Sequence, residues 1–295
     1  PATLLLVTIL AIGLLLMLVL WVKLHPFLAL LITAMFLGIA SGMPLEKVSA
    51  AIQNGLGGTL GFVATVVGIG SIFGQILETS GGTEAIAKTL IQWFGKKRAH
   101  WSLSIAGFLI AIPVFFDVGF IILVPVVYAL AKDTKKSTLY YAIPLLAGLA
   151  VTHTFIPPTL GPVAVADMLG ADLGWVILVG AIIGLPITII AGPLFGTYIG
   201  NRILVSPPPH VTEELAKGDE TDEAHPLPSF WIVSSIIGIP LLLMVVKSMI
   251  ELFIKLGYMH EGTFYEVASF LGHPFTALII ATLIAAWLLG TRRGY

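Results

Sequence analysis

Apolar residues run almost unbroken through seven stretches of this chain, at 2–22, 27–42, 59–79, 139–169, 175–200, 230–253 and 274–290. Most are long enough to cross a ~30 Å hydrocarbon core as a helix, and none alternates every second residue as a half-buried strand would. The pattern predicts a bundle of membrane-spanning helices. The stretch 83–94, "TEAIAKTLIQWF", is shorter and places Ile86, Leu90, Trp93 and Phe94 on one helical stripe. It reads as an interfacial helix lying on the membrane, with an ordinary loop helix as the plain alternative.

An eighth run, 101–131, is interrupted by Pro113, Asp117, Gly119 and Pro125. As one straight helix it would measure roughly 46 Å, too long for a single crossing. Basic clusters flank it on both sides, "GKKRAH" (95–100) and "KDTKK" (132–136). A single crossing would put them on opposite faces, against the tendency of Lys and Arg to collect inside. A re-entrant hairpin resolves both conflicts, with two arms entering and leaving from the cytoplasm and the tip at "PVFFDVGF". The topology then closes. Lys23, Lys88, Lys96, Lys97, Arg98, Lys132, Lys135, Lys136, Arg202, Lys217, Arg292 and Arg293 fall inside. Lys47 and Lys255 fall outside, Lys247 sits near the outer end of its span, and the N-terminus lies outside.

Of the 295 residues, 57% are hydrophobic and only 11% charged, where a soluble domain carries roughly 25% charged residues. The fold class is thus an all-α polytopic membrane protein. A formal net charge of −1 offers no basic face for nucleic acid. With no cysteine, disulfides, a thiol nucleophile and a cysteine-ligated metal are excluded. The first run lacks a basic leader segment, which fits a retained span better than a cleaved signal. The one long polar stretch, 205–229, is proline-rich and acidic and reads as a solvated cytoplasmic linker.

Two segments repeat. "HPFLALLITA" at 25–34 and "HPFTALIIAT" at 273–282 share His, Pro, Phe, Ala, Leu and Ile in register, each after one long span. Residues 1–204 form the first repeat and cross five times, so the second begins on the opposite face. Inverted repeats mark secondary transporters, which bind substrate near the midplane. The second copy, 230–295, stops after two spans at "GTRRGY". The expectation is that this chain is the front portion of a longer protein.

A carboxylate in lipid costs a few kcal/mol or more, so Asp117 is expected to face a cavity, a partner or a substrate path. After the hairpin, helical periodicity in "LYYAIPLLAGLAVTHTFIPPTLGPVAVADMLG" (139–170) runs to about Phe155 and is then destroyed by Pro157, Pro158, Gly161 and Pro162. A discontinuous helix is tolerated at membrane depth only where it is buried in protein or lines a cavity. Counting helical rise puts this break roughly 24 Å from the cytoplasmic side and the hairpin tip at about 22 Å. The two broken elements therefore meet, and their helix ends offer unpaired amides and a positive dipole end to an anion. The candidate substrate-binding residues are Asp117, Val118, Gly119, Thr152, His153, Pro158, Thr159, Gly161 and, from the glycine-rich run 57–82, Ser71. Asp117, and secondarily His153, are the candidates for a coupling proton. Each has a packing role in competition: Asp117 as a cap of its own loop, His153 as a helix-packing histidine, the threonines bonding back one turn. Gly68, Gly70, Ser71 and Gly74 are small enough for close helix contact. No resident cofactor or metal is expected.

The motifs "HPFLALL", "GMPLEKV", "GLGGTLG", "FFDVGF" and "HTFIPPTLGP", in this order, resemble the gluconate permease family of bacterial proton symporters. The similarity runs over essentially the whole chain. It implies a fold of paired re-entrant hairpins and broken helices with elevator-like motion, a homodimer, and uptake of a sugar acid with protons across the inner membrane. It also implies a protein around half again as long. Asp117 matches an acidic position preceding Val-Gly, and His153 a histidine before the Pro-Pro break. The family pattern commonly reads Pro-Pro-His-Pro-Gly-Pro, whereas Thr159 and Leu160 follow the two prolines here. This departure bears on the substrate, since related carriers take D-serine and other small hydroxy acids.

The reading is a secondary active transporter that imports gluconate or a related small hydroxylated carboxylate with protons, embedded in the bacterial inner membrane. Its partners are then the organic anion, the lipid bilayer and a second copy of itself. A sodium-coupled carboxylate carrier of the same fold and a passive anion channel are the rivals. An enzyme is disfavoured: no Ser–His pair is spaced for catalysis, His-Glu-x-x-His is absent, and only one carboxylate lies deep.

Overall fold

The computed structural model describes residues 2–208 and 227–293, all helix and connecting turns with no strand among them. Of the expected linker 205–229, the stretch 209–226, with Lys217, lies outside the described residues. The chain divides into two compact units, Pro1–Phe62 and Val63–Tyr295.

The first unit holds α1 (Ala2–Leu20), α2 (Pro26–Ala40) and the beginning of α3 (Leu45–Thr79). α3 starts well before the run at 59–79 that announced it. The glycines between 55 and 61 do not break it, and Glu46 lies in its first turn, where the helix dipole favours a negative charge. α1 turns most of its leucines and isoleucines outward, with Leu5 66% and Ile9 68% exposed. Such a surface is stable only against lipid or further protein.

The second unit holds the rest of α3, then α4 (Gly82–Phe94), α5 (Ala99–Ile110), α6 (Phe116–Thr134), α7 (Leu139–Phe155) and α8 (Leu160–Leu169). α9 (Leu173–Ile189) continues through a π-helical turn, Ile190–Leu194, into α10 (Phe195–Gly200). α11 (Phe230–Lys255), α12 (Thr263–Leu271) and α13 (Pro274–Ala285) complete it. Among the described residues five helices are long and apolar enough to cross a membrane: Thr3–Leu20, Leu45–Thr79, Leu139–Leu169, Leu173–Gly200 and Phe230–Lys255. α12 and α13, bent by 64° at their junction, make a sixth if counted as one span. The protein is a multi-pass, all-helical membrane protein.

The repeated His-Pro-Phe has a local explanation. His25 caps α2, its Nδ1 accepting from the Phe27 amide at 3.3 Å, and His273 caps α13, its Nδ1 accepting from the Phe275 amide at 3.3 Å. The proline after each histidine occupies the first helical position, where a missing N–H costs nothing. Both histidines are thus helix starts.

The second unit is built around α5 against α7. A β-carbon at Gly148 would lie 2.2 Å from the Ser104 carbonyl oxygen, and one at Gly107 2.6 Å from that of Leu145. The two backbones touch because neither position carries a side chain. Leu103, Ile110, Leu123, Leu145 and Leu149, all fully buried, close the core around this contact. Between α5 and α6 the chain turns at residues 111–115. The two ends of the 101–131 run come together: Lys96 is ion-paired with Asp133, and the His100 ring lies 4.7 Å from that of Tyr140, over which Lys136 also sits. On α4, Ile86 and Leu90 are buried in the protein while Trp93 and Phe94 remain exposed.

After α10 the chain folds back on the loop that begins α7. The Val205 amide donates to the Ser137 hydroxyl at 3.1 Å, and the Thr138 amide to the Val205 carbonyl at 2.8 Å.

Candidate functional site

Two breaks in the helical backbone of the second unit come together. The first break, at 111–115, follows from Pro113 and ends at the amino end of α6; the second, at 156–159, follows from Pro157 and Pro158 and ends at that of α8. The first in-helix donors are Gly119, to Phe115 at 2.9 Å, and Val163, to Thr159 at 3.2 Å. The amides of Phe116, Asp117 and Val118, and of Leu160 and Gly161, precede them and have no acceptor within their own helix.

The two breaks face one another across a small cavity of about 20 Å³, lined by Val67, Gly70 and Ser71 of α3, Ile112–Phe115, and His153, Pro158, Thr159 and Leu160. That volume holds a single water. α3 closes it from the side: a β-carbon at Gly74 would lie 2.4 Å from the Pro113 carbonyl oxygen, so only glycine lets the helix this close to the first break. The His153 Nδ1 is buried and has no hydrogen-bond partner among the described residues. Its ring lies 6.2 Å from that of Phe115.

Of the nine residues singled out from the sequence, Ser71, His153, Pro158 and Thr159 line this cavity together. The other five do not. Asp117 is exposed on the first turn of α6, Val118 is half-buried against the core, and Gly119 lies under Leu149, whose Cδ2 is 2.9 Å from where a β-carbon would stand. Thr152 is fully buried and donates to the Phe108 carbonyl at 2.9 Å, tying α7 to α5 one turn from the first break. Gly161 faces open space. Two hydroxyls at the cavity are engaged locally, Ser71 with the Val67 carbonyl at 2.8 Å and Thr159 with that of Ile156 at 2.7 Å. The cavity's other lining residues, Val67, Gly70, Ile112–Phe115 and Leu160, were not among the nine. Their signal was positional, since Val67 and Gly70 share a helical face with Ser71 and Ile112–Phe115 surround the proline that breaks the run.

Such an arrangement can hold an anion by two sets of helix-end amides and one imidazole, with no cationic side chain at the cavity. Among the described residues no group of three or more His, Asp or Glu could hold a metal ion.

Residues 3–295 match the model of the GntP family permease. The chain is 41% identical over 273 residues to the gluconate permease of Pseudomonas aeruginosa, covering 92% of this chain and 59% of that protein. It is 39% identical to the low-affinity gluconate transporter of Escherichia coli K12, over 99% of this chain and 63% of the relative. To the Gnt-II system L-idonate transporter of the same bacterium it is 37% identical, covering 96% and 62%. The chain thus spans about three-fifths of the length of these relatives. No solved structure matches it.

Proposed function

The chain belongs to the GntP permease family, and on that premise we propose that it carries the anion site of a secondary active transporter importing gluconate, or a closely related sugar acid, with protons across the bacterial inner membrane. The observation that carries this reading is the convergence of the amino ends of α6 and α8 on one cavity beside an unpartnered histidine nitrogen. Gluconate and L-idonate, named for the relatives, are both polyhydroxylated monocarboxylates. The helix-end amides take the carboxylate, while the His153 Nδ1 and the Ser71 and Thr159 hydroxyls face the hydroxyl-bearing carbons. A cavity of about 20 Å³ is far smaller than such a molecule. Binding therefore requires the 112–115 and 158–160 segments to part, so this is a closed form of the site.

In this reading α5 and α6 are the arms of a re-entrant hairpin entering from the cytoplasm. The ion pair between Lys96 and Asp133, at the two ends of the run, supports it. The matching His25 and His273 caps support an inverted repeat. Asp117, in the first turn of α6 beside the cavity wall at Phe115, takes the coupling proton, with His153 as the second candidate. The test is uptake of labelled gluconate into vesicles bearing the full-length protein, with and without an inward proton gradient. Gradient-driven, saturable accumulation that Asp117→Asn uncouples from the gradient is expected. Gradient-driven accumulation unchanged by Asp117→Asn would remove Asp117 from the coupling path, and no gluconate uptake at all would refute the substrate.

A further inference from the structure

Away from the cavity, a second concavity of about 400 Å³ opens between α4 and the first turn of α11. Its apolar floor is aromatic. The Trp93 ring lies 4.7 Å from that of Phe230 and 5.8 Å from that of Trp231, and the last two lie 5.4 Å apart. These rings are not hidden: Trp93 is 54% and Trp231 67% exposed. Its polar rim consists of Lys88, Thr89, Gln92 and Ser229. Lys88 is paired with Glu84 at 2.6 Å, yet both side chains stay about half exposed, so the ammonium keeps donors free for another acceptor. Lys97 and Arg98, in the short turn two residues beyond α4, are exposed.

We infer that this groove binds the headgroup and glycerol region of an anionic phospholipid. Its position and its chemistry argue for it independently. Phe230 and Trp231 open a membrane-spanning helix, so they stand at the boundary between hydrocarbon and water, where amphipathic rings settle. An aromatic floor with one ammonium at its polar rim matches an amphiphile carrying a phosphate. A free phosphate has no use for the floor, and a zwitterionic headgroup brings its own cation to the rim. Basic residues at such a boundary enrich acidic lipids by charge. This inference depends only on the chain lying in a membrane and not on what it transports.

The test uses the chain in nanodiscs of phosphatidylcholine doped with a few per cent of brominated phosphatidylglycerol or, in parallel, brominated phosphatidylcholine. Bromine quenches tryptophan only at contact, and the Trp93→Phe/Trp231→Phe double variant provides the blank for the other four tryptophans. Quenching of the Trp93/Trp231 signal should be several-fold stronger with the anionic lipid. Lys88→Gln should cut that excess roughly fivefold, the value of one basic residue near an acidic surface. Glu84→Gln, which releases Lys88, should increase it. Opposite signs from two neighbouring variants cannot come from general misfolding. Equal quenching by the two lipids, an excess that ignores both variants, or no quenching because protein covers the groove would each overturn the inference.

Discussion

The contact between α5 and α7 predicts what one methyl group would do. In Gly148→Ala the new β-carbon would lie 2.2 Å from the Ser104 carbonyl oxygen and 2.8 Å from the Phe108 nitrogen. Both are backbone atoms of a buried helix, so no rotamer change relieves the clash. The helices must separate by roughly 1 Å to regain ordinary contact distance. Separation also stretches the 2.9 Å bond from the Thr152 hydroxyl to the Phe108 carbonyl, one turn away. Overpacking costs about 1–3 kcal/mol, and a weakened buried hydrogen bond about 1 more. The total, about 2–4 kcal/mol, is to be read by thermal unfolding in detergent beside a control, Gly238→Ala in α11. There a β-carbon meets nothing within 4 Å, and alanine should be neutral or stabilising by up to about 1 kcal/mol. Because Thr152 is bonded to Phe108 at this contact and His153 is the next residue, Gly148→Ala should also lower the uptake proposed above by more than its loss of folded material accounts for. Equal melting temperatures for the two variants would show that the α5–α7 contact is looser than described, and the reasoning would fail.

Three further outcomes follow from the same geometry. The chain has no cysteine, so Lys97→Cys and Lys135→Cys, placed singly, should both react with a membrane-impermeant thiol reagent from the same face; labelling from opposite faces would refute the hairpin. Burial, reinforced by Lys136, lowers His100 from 6.5 to about 4. Its neutral form is therefore favoured by folding, and the stability it contributes is complete above about pH 6.5 and lost as pH falls towards 4; His100→Gln should flatten the fall in melting temperature over that window, and an unchanged slope would place the acid sensitivity elsewhere. Replacing His25 or His273 by Ala should cost about 0.5–2 kcal/mol and expose the Phe27 or Phe275 amide to faster hydrogen exchange, whereas Asn, which also caps, should restore protection.

What the sequence made legible was governed by chemistry local to the chain. Pro113 and the Pro157–Pro158 pair mark where helices stop, because a missing amide donor acts on its own turn whatever surrounds it. The length of α3 was less visible. The apolar run that predicts it begins at 59, whereas the helix begins at Leu45, in a more polar stretch that carries Glu46, Lys47, Gln53 and Asn54. Asp117 was the conspicuous group in its run, but the cavity is lined by its unremarkable neighbours, Ile112 to Phe115. Which face a side chain takes depends on how α6 is set against α7, through contacts such as Gly119 with Leu149, and these join residues distant in sequence. The amphipathic stripe of α4 was visible too, though not what each part of it meets. Its period is genuine, but Ile86 and Leu90 spend it on the protein core, leaving Trp93 and Phe94 for the surface.

The clasp at Val205 has a consequence for how this architecture can vary. Two hydrogen bonds fasten the chain leaving α10 to Ser137 and Thr138, at the foot of the broken helix. The foot of α7 is thereby coupled to the chain leaving α10: a pull at Val205 reaches Ser137 and Thr138, the residues that open the broken helix. The stretch from α7 to α10 thus begins and ends on one shared anchor, and a change at Val205 itself should loosen the start of the broken helix as well as the chain leaving α10.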